Sequence, residues 1–250
     1  MPTDTSSLGH LWQALLFAIL PVIAAIVGSA IAAFRRPGPV MRSHIQHLAA
    51  GVVFSVVAVE ILPDVVHRQH PVLLVIGFSL GVALMLGLQW FAERGEAHES
   101  GAPSSAGNSA LFAGLGIDVF LDGLLIAISF NAGAKAGQLL TIALAVELLS
   151  TGLALSATLG GKGMKPGRII ATSAALFSLI LLGAAVGALF TPLLTGALLD
   201  LILSFGLAAL LFLVTEQLLV EAHKEPETPL STALFFVGFL AFLLLGMEPK

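Results

Sequence analysis

Three acidic side chains sit in long apolar runs with nothing basic beside them. Asp118 and Asp122 fall in GLGIDVFLDGLLIAISF, residues 114–130, and Glu147 falls in the apolar run that follows. A carboxylate at the centre of a bilayer costs roughly 2.5–3.5 kcal/mol on insertion scales, so a chain that keeps three of them uses them. Asp118 and Asp122 are four residues apart, which stacks them on one face of a helix, and Ser129 continues the stripe. Glu147, Ser150, Thr151 and Ala154 form a similar stripe on the next helix. If the two stripes face each other, three carboxylates and two hydroxyls meet near mid-membrane. Oxygen-only ligands at that density suit a hard or borderline divalent cation. The expected metal ligands are therefore Asp118, Asp122, Glu147 and Ser150. The competing reading is interhelical glue, with protonated acids bonded to hydroxyls or backbone, although Ser or Asn would do that at less cost.

Secondary positions flank this centre. Glu60, Asp64 and His67 share a helix face at the end of one apolar run, as an external vestibule or a solvated helix end would. Glu216 and His223 share a face at the end of another, with Glu221 off it, as an exit site would. His44 and His47 read as interfacial residues, and His98 as a solvated one.

The elements that must hold these residues are membrane helices. The 250-residue chain is 57% hydrophobic and 10% charged, where a soluble domain carries about 25% charged residues. It has no cysteine, which removes disulfides, thiolate ligands and thiol catalysis together. Apolar runs of spanning length fall near 11–34, 45–66, 71–91, 109–131, 137–159, 168–190, 197–219 and 229–247. The expected fold is an all-α polytopic membrane protein of eight transmembrane helices forming one domain. The one long linker, near 92–108, is expected to be a flexible cytoplasmic loop. The first run has no Lys or Arg before it and two Arg after it, the reverse of a signal peptide, so it reads as a retained span.

Charge then orients the chain. Arg35, Arg36, Arg42, Arg94, Lys162, Lys165, Arg168 and Lys224 fall on one side, and Arg68, Lys135 and Lys250 on the other. The positive-inside rule places both termini outside. Apart from Arg168, at the very start of its run, no basic residue falls inside these runs, so the buried acids must be protonated, lie in water, or meet a cation foreign to the protein.

One internal similarity bears on function. Residues 50–67 and 205–223 each carry a Phe, then Glu followed seven residues later by His: Glu60 with His67, Glu216 with His223. Five helices separate the two runs, so they cross in opposite directions. Spans 1–3 and 6–8 thus read as a 3+2+3 inverted repeat around spans 4 and 5, an arrangement typical of transporters with a midplane site.

On these residues the chain resembles the ZIP (Zrt/Irt-like protein) family of divalent metal transporters over nearly its whole length. The resemblance rests on the eight-span plan, the repeat, AAGVVFSVVAVEILPD in span 2, and motif positions in spans 4 and 5. Where the family has His-Asn-x-x-(Asp/Glu)-Gly in span 4, this chain has Asp118-Val119-Phe120-Leu121-Asp122-Gly123. Where it has His-(Asn/Asp/Glu)-x-x-Glu-Gly in span 5, this chain has Val146-Glu147-Leu148-Leu149-Ser150-Thr151. Span 6 offers only Thr172, Ser173 and Ser178. The resemblance implies uptake of zinc, iron or manganese through a centre on spans 4 and 5. The missing histidines point away from strict zinc preference, and the small number of acids points away from a two-metal centre.

The expected partners are the lipid bilayer of a cell membrane and the metal ion as substrate. A homodimer is left open, and neither nucleic acid nor an organic cofactor is expected. No enzymatic activity is expected: an aspartyl protease takes its two carboxyls from separate helices, Asp118 and Asp122 share one, and no GxGD stretch occurs. A proton-coupled carrier of another small substrate, or a ZIP-like protein with altered or lost transport, are the alternatives.

Overall fold

The computed structural model describes residues 4–35, 37–97, 106–226 and 228–247. Among them there is no strand, and eight helices are long and apolar enough to cross a membrane. These are α1 (Asp4–Phe34), α2 (Pro39–His67), α3 (Pro71–Ala97), α4 (Ala106–Ala132), α5 (Ala134–Gly161), α6 (Pro166–Leu193), α7 (Ala197–Ala222) and α8 (Pro229–Gly246). Four of them begin on proline, at Pro39, Pro71, Pro166 and Pro229, where the absent N–H is one the first turn would leave unpaired anyway. At α8 the Thr228 hydroxyl also accepts from the Ser231 N–H at 3.1 Å.

The helices match the eight apolar runs, several of them extended; α1 begins at Asp4 rather than near residue 11. Helix α2 starts at Pro39, a turn and a half before the expected span, because its polar first turns continue the helix beyond the apolar stretch. Helices α3 and α4 extend to Ala97 and from Ala106, into the expected 92–108 loop, and the remainder of that loop, 98–105, lies outside the described residues. Arg42, Lys135 and Arg168 also fall within the helices, each in a first turn at a helix end rather than at membrane depth.

Burial sorts the helices into two classes. The spans of α2, α4, α5 and α7 are 50–72% buried, against 17–39% for α1, α3, α6 and α8. The outer four turn side chains such as Ile23, Leu80, Leu182 and Phe236 outward, as helices facing lipid do. Helices α1, α4, α5 and α6 pack with one another, as do α2, α3, α7 and α8, and the two groups meet where α2 lies on α5 and α3 lies on α4.

Glycines set the close approaches. A Cβ on Gly28 (α1) would stand 2.2 Å from the Leu149 carbonyl oxygen of α5, and one on Gly152 (α5) 2.2 Å from the Ala25 oxygen. The α4–α6 pair does the same: Gly183 would meet the Phe120 oxygen at 1.9 Å and Gly123 the Ile180 oxygen at 2.0 Å. Gly81 (α3) faces the Phe205 oxygen of α7, and Gly238 (α8) the Leu48 oxygen of α2. Only hydrogen side chains allow backbones this near, which is how membrane helices gain packing without a hydrophobic drive.

Two helices are interrupted at matching places. Helix α2 carries a π-helical turn at Val57–Ile61 and α7 one at Leu213–Leu218, and these contain Glu60 and Glu216. In α2 the cause is Pro63, which lacks an N–H and would crowd the carbonyl four residues back; a widened turn absorbs it. Helix α7 has no proline there, and only Thr215, whose hydroxyl donates to the Leu211 carbonyl at 3.0 Å, marks the distortion.

Candidate functional site

Helices α4 and α5 pack against each other and carry the three acids near the middle of the bundle. Asp122 is 4% exposed and Glu147 2%. Asp118 is half-buried on the same α4 face. Asp122 lies within electrostatic reach of both Asp118 and Glu147, and Glu147 within reach of Asp118. The three acids thus feel one another's charge. They do not yet close on a point: among the described residues, no three His, Asp or Glu side chains are arranged to hold one ion.

Each acid is satisfied only in part. Glu147 Oε1 accepts a hydrogen bond from the Thr151 hydroxyl one turn on. Asp118 accepts one from the Gln217 side chain, which reaches across from the π-helical turn of α7. Asp122 Oδ2 and Glu147 Oε2 are buried and have no protein partner. A buried polar atom left in this way costs about 1–3 kcal/mol, more when charged, unless something else satisfies it.

Two cavities open beside the acids, toward the end of the bundle where α3 connects to α4. One, of about 230 Å³, is bordered by Asp118, Gln217, Gln89, Leu115 and Phe212. The other, of about 510 Å³, runs past Glu147, Thr151, Glu216, Gln217 and Glu221. Glu216 is exposed along this second cavity. Glu221 pairs with Lys224 at its mouth. His223 lies beside His47, ring centroids 5.3 Å apart, and the Ser43 hydroxyl donates to the Ala222 carbonyl at 2.8 Å, tying α2 to α7 there. The expected exit-side residues Glu216 and His223 therefore lie apart in role, Glu216 in the cavity and His223 against α2. Ser150 is buried, but Thr151 and not Ser150 borders the cavity.

A third cavity, of about 230 Å³, lies at the opposite end and is bordered by Glu60, Asp64, Ser129, Lys135 and Leu203. Ser129 is two turns from Asp122 along α4, and the turn between them carries Leu125 and Ile126, both buried. This end is stitched by ion pairs. Lys135 Nζ lies 3.5 Å from Glu60 Oε1 and also donates to the Gly246 carbonyl. Arg68 bridges Asp64 at 3.2 Å and Asp200 at 2.8 Å, and His70 Nε2 lies 3.5 Å from Asp200 Oδ2. Burial works against the Arg68 charge, but the bonds to Asp200 and Asp64 outweigh it and hold the guanidinium above its ordinary value. So Glu60 has a counter-charge in Lys135, which enters from the first turn of α5. His67 is exposed, donates from Nδ1 to the Pro63 carbonyl at 2.7 Å, and does not border the cavity.

Gln217, Gln89 and Asp200 were not among the sequence candidates. The two glutamines are amides within apolar spans, and that polarity is the signal that marks them. Asp200 stands at a helix start, where an acid is ordinary.

No family model matches the chain, and no curated protein matches it.

Proposed function

We propose that the protein carries a divalent metal cation across a membrane through the α4–α5 carboxylate centre, in the manner of the ZIP family it resembles. The observation that carries the reading is the pair of buried oxygens, Asp122 Oδ2 and Glu147 Oε2, without a partner beside a cavity that reaches Glu147. Among the described residues no Lys or Arg pairs with them, so a cation from outside the protein is the missing charge. The half-satisfied acids favour this over glue, because glue leaves no oxygen spare. A bound ion would draw the three carboxylates together from their present spacing. The open side at one end and the ion-paired, leucine-lined side at the other suit a carrier caught with its centre accessible from one face.

The inverted repeat gains support from the packing. The step from Leu48 to Phe205 equals that from Gly81 to Gly238, so the α8–α2 contact repeats as the α3–α7 contact. The step from Ala25 to Ile180 equals that from Gly28 to Gly183, so the α1–α5 contacts repeat as α6–α4. The same register makes Glu147 the repeat equivalent of Asp118 and Thr151 that of Asp122, one residue on from the motif correspondence with Val146 and Ser150. The π-helical turns of α2 and α7 overlap in this register too, which pairs Glu60 with Gln217 rather than with Glu216. In this reading both termini lie outside the cell membrane and the two cavities beside Asp118 and Glu147 face the cytoplasm.

The test is uptake by purified protein in liposomes against a panel of Mn²⁺, Fe²⁺ and Zn²⁺. Saturable uptake needing no other protein is the expected result. Uptake of none of them, with intact protein in the vesicles, refutes the reading.

A further inference from the structure

We propose that Gln217 and Thr151 make the centre selective against large cations by each occupying one oxygen of an acid, so that Asp118 and Glu147 offer an ion one oxygen apiece. The inference rests on the transport reading above and names its selectivity. Two sets of atoms carry it. Gln217 donates to Asp118 from α7, and Thr151 donates to Glu147 from one turn along α5. The oxygens left over, Glu147 Oε2 and Asp122 Oδ2, are buried and unpartnered.

Ligand count turns this into a size filter. Ca²⁺ takes about 6–8 oxygens at 2.3–2.6 Å and commonly engages a carboxylate through both oxygens. Transition-metal ions are content with fewer and closer ligands, down to four at about 2.0–2.2 Å for Zn²⁺. A carboxylate whose second oxygen already lies against an N–H or O–H donor must give up that bond to bind through both. For Ca²⁺ the centre would have to surrender two hydrogen bonds, and for a smaller ion neither. Gln217 stands in the π-helical turn Leu213–Leu218 of α7, a kind of turn frequent at functional sites. It borders both cavities on that side, so its amide stands where an ion passes.

The test is competition. Mn²⁺ uptake into liposomes is measured against increasing Ca²⁺ for wild type, Gln217→Leu, Thr151→Val and the double variant. The expected result is that the Ca²⁺ concentration giving half inhibition falls about tenfold in each single variant and further in the double, as ligand number sets Ca²⁺ affinity by decades. A merely structural loss lowers uptake without creating Ca²⁺ sensitivity. Displacement of bound Mn²⁺ by Ca²⁺ from detergent-solubilised protein gives the same ratio without transport and serves any variant whose uptake is lost. Gln217→Met, unbranched and also without a donor, stands in if the leucine variant does not fold. An unchanged ratio in variants that still bind Mn²⁺ overturns the proposal and leaves the transport reading intact. Wild-type protein that neither binds nor moves Mn²⁺, Fe²⁺ or Zn²⁺ overturns the transport reading, and this one with it.

Discussion

Gly123→Ala should separate two effects that the α4–α6 contact joins, the stability of the bundle and the position of Asp122 beside it. A Cβ at 123 would lie 2.0 Å from the Ile180 carbonyl oxygen and 2.8 Å from the Ala184 nitrogen. A carbon sits comfortably about 3.3–3.6 Å from a carbonyl oxygen, so α4 must move off α6 by about 1.3 Å or more. Overpacking costs typically about 1–3 kcal/mol, and with backbone on both sides the upper end applies. Alanine recovers about 1 kcal/mol in helix propensity, which leaves a net loss of about 2 kcal/mol. At about 2–4 °C per kcal/mol for a chain of this size, the apparent melting temperature should fall by about 4–8 °C. Gly87→Ala is the control: nothing lies within 4 Å of its Cβ, so only the propensity gain remains and melting should hold or rise slightly. The assay is thermal unfolding in detergent followed by size-exclusion chromatography, with metal uptake on the same preparations. Equal melting of the two variants would refute the close α4–α6 contact. Reduced melting with full uptake would refute the link between that contact and the placement of Asp122.

Two further outcomes follow from the geometry. At the ion-paired end, Arg68→Met should destabilise the protein by about 2–3 kcal/mol, since it strips a charge-assisted bond from Asp200, whose side chain is 7% exposed. Lys135→Met, which breaks a 3.5 Å contact made by a lysine 38% exposed, should cost under about 1 kcal/mol; denaturant or thermal melting of the two side by side checks the order. At the centre, Asp118→His should raise the uptake of Zn²⁺ relative to Mn²⁺, because imidazole favours zinc where carboxylate oxygens do not discriminate as well. Competition uptake of the two ions reads the ratio, and no change would mean Asp118 does not touch the ion.

The helices were legible in the sequence because spanning length and apolarity are properties of single segments. Asp118 and Asp122 on one α4 face, and Glu147 on the neighbouring helix, followed from spacing alone. What spacing could not show was the partner each acid would find. Gln217 comes from α7, and Lys135 reaches Glu60 from the first turn of α5, across distances in sequence that no local pattern spans. The expected Glu60–His67 face assumed an unbroken helix, and the π-helical turn before Pro63 makes that assumption fail. The choice between Ser150 and Thr151 turns on a single residue of register, which Gly152 fixes by its contact with Ala25 and composition leaves open.

The measurement that bears most directly on the metal-carrying centre is uptake by the Asp122→Asn, Glu147→Gln double variant. Amides preserve size and hydrogen bonding, so helix packing should survive, and the elution profile and protein level should stay near wild type. Wild-type protein in liposomes should show saturable uptake of Mn²⁺, Fe²⁺ or Zn²⁺, and the double variant should lose it. Wild-type rates in the double variant would contradict it, because the two oxygens on which the reading depends, Asp122 Oδ2 and Glu147 Oε2, would then carry no cation.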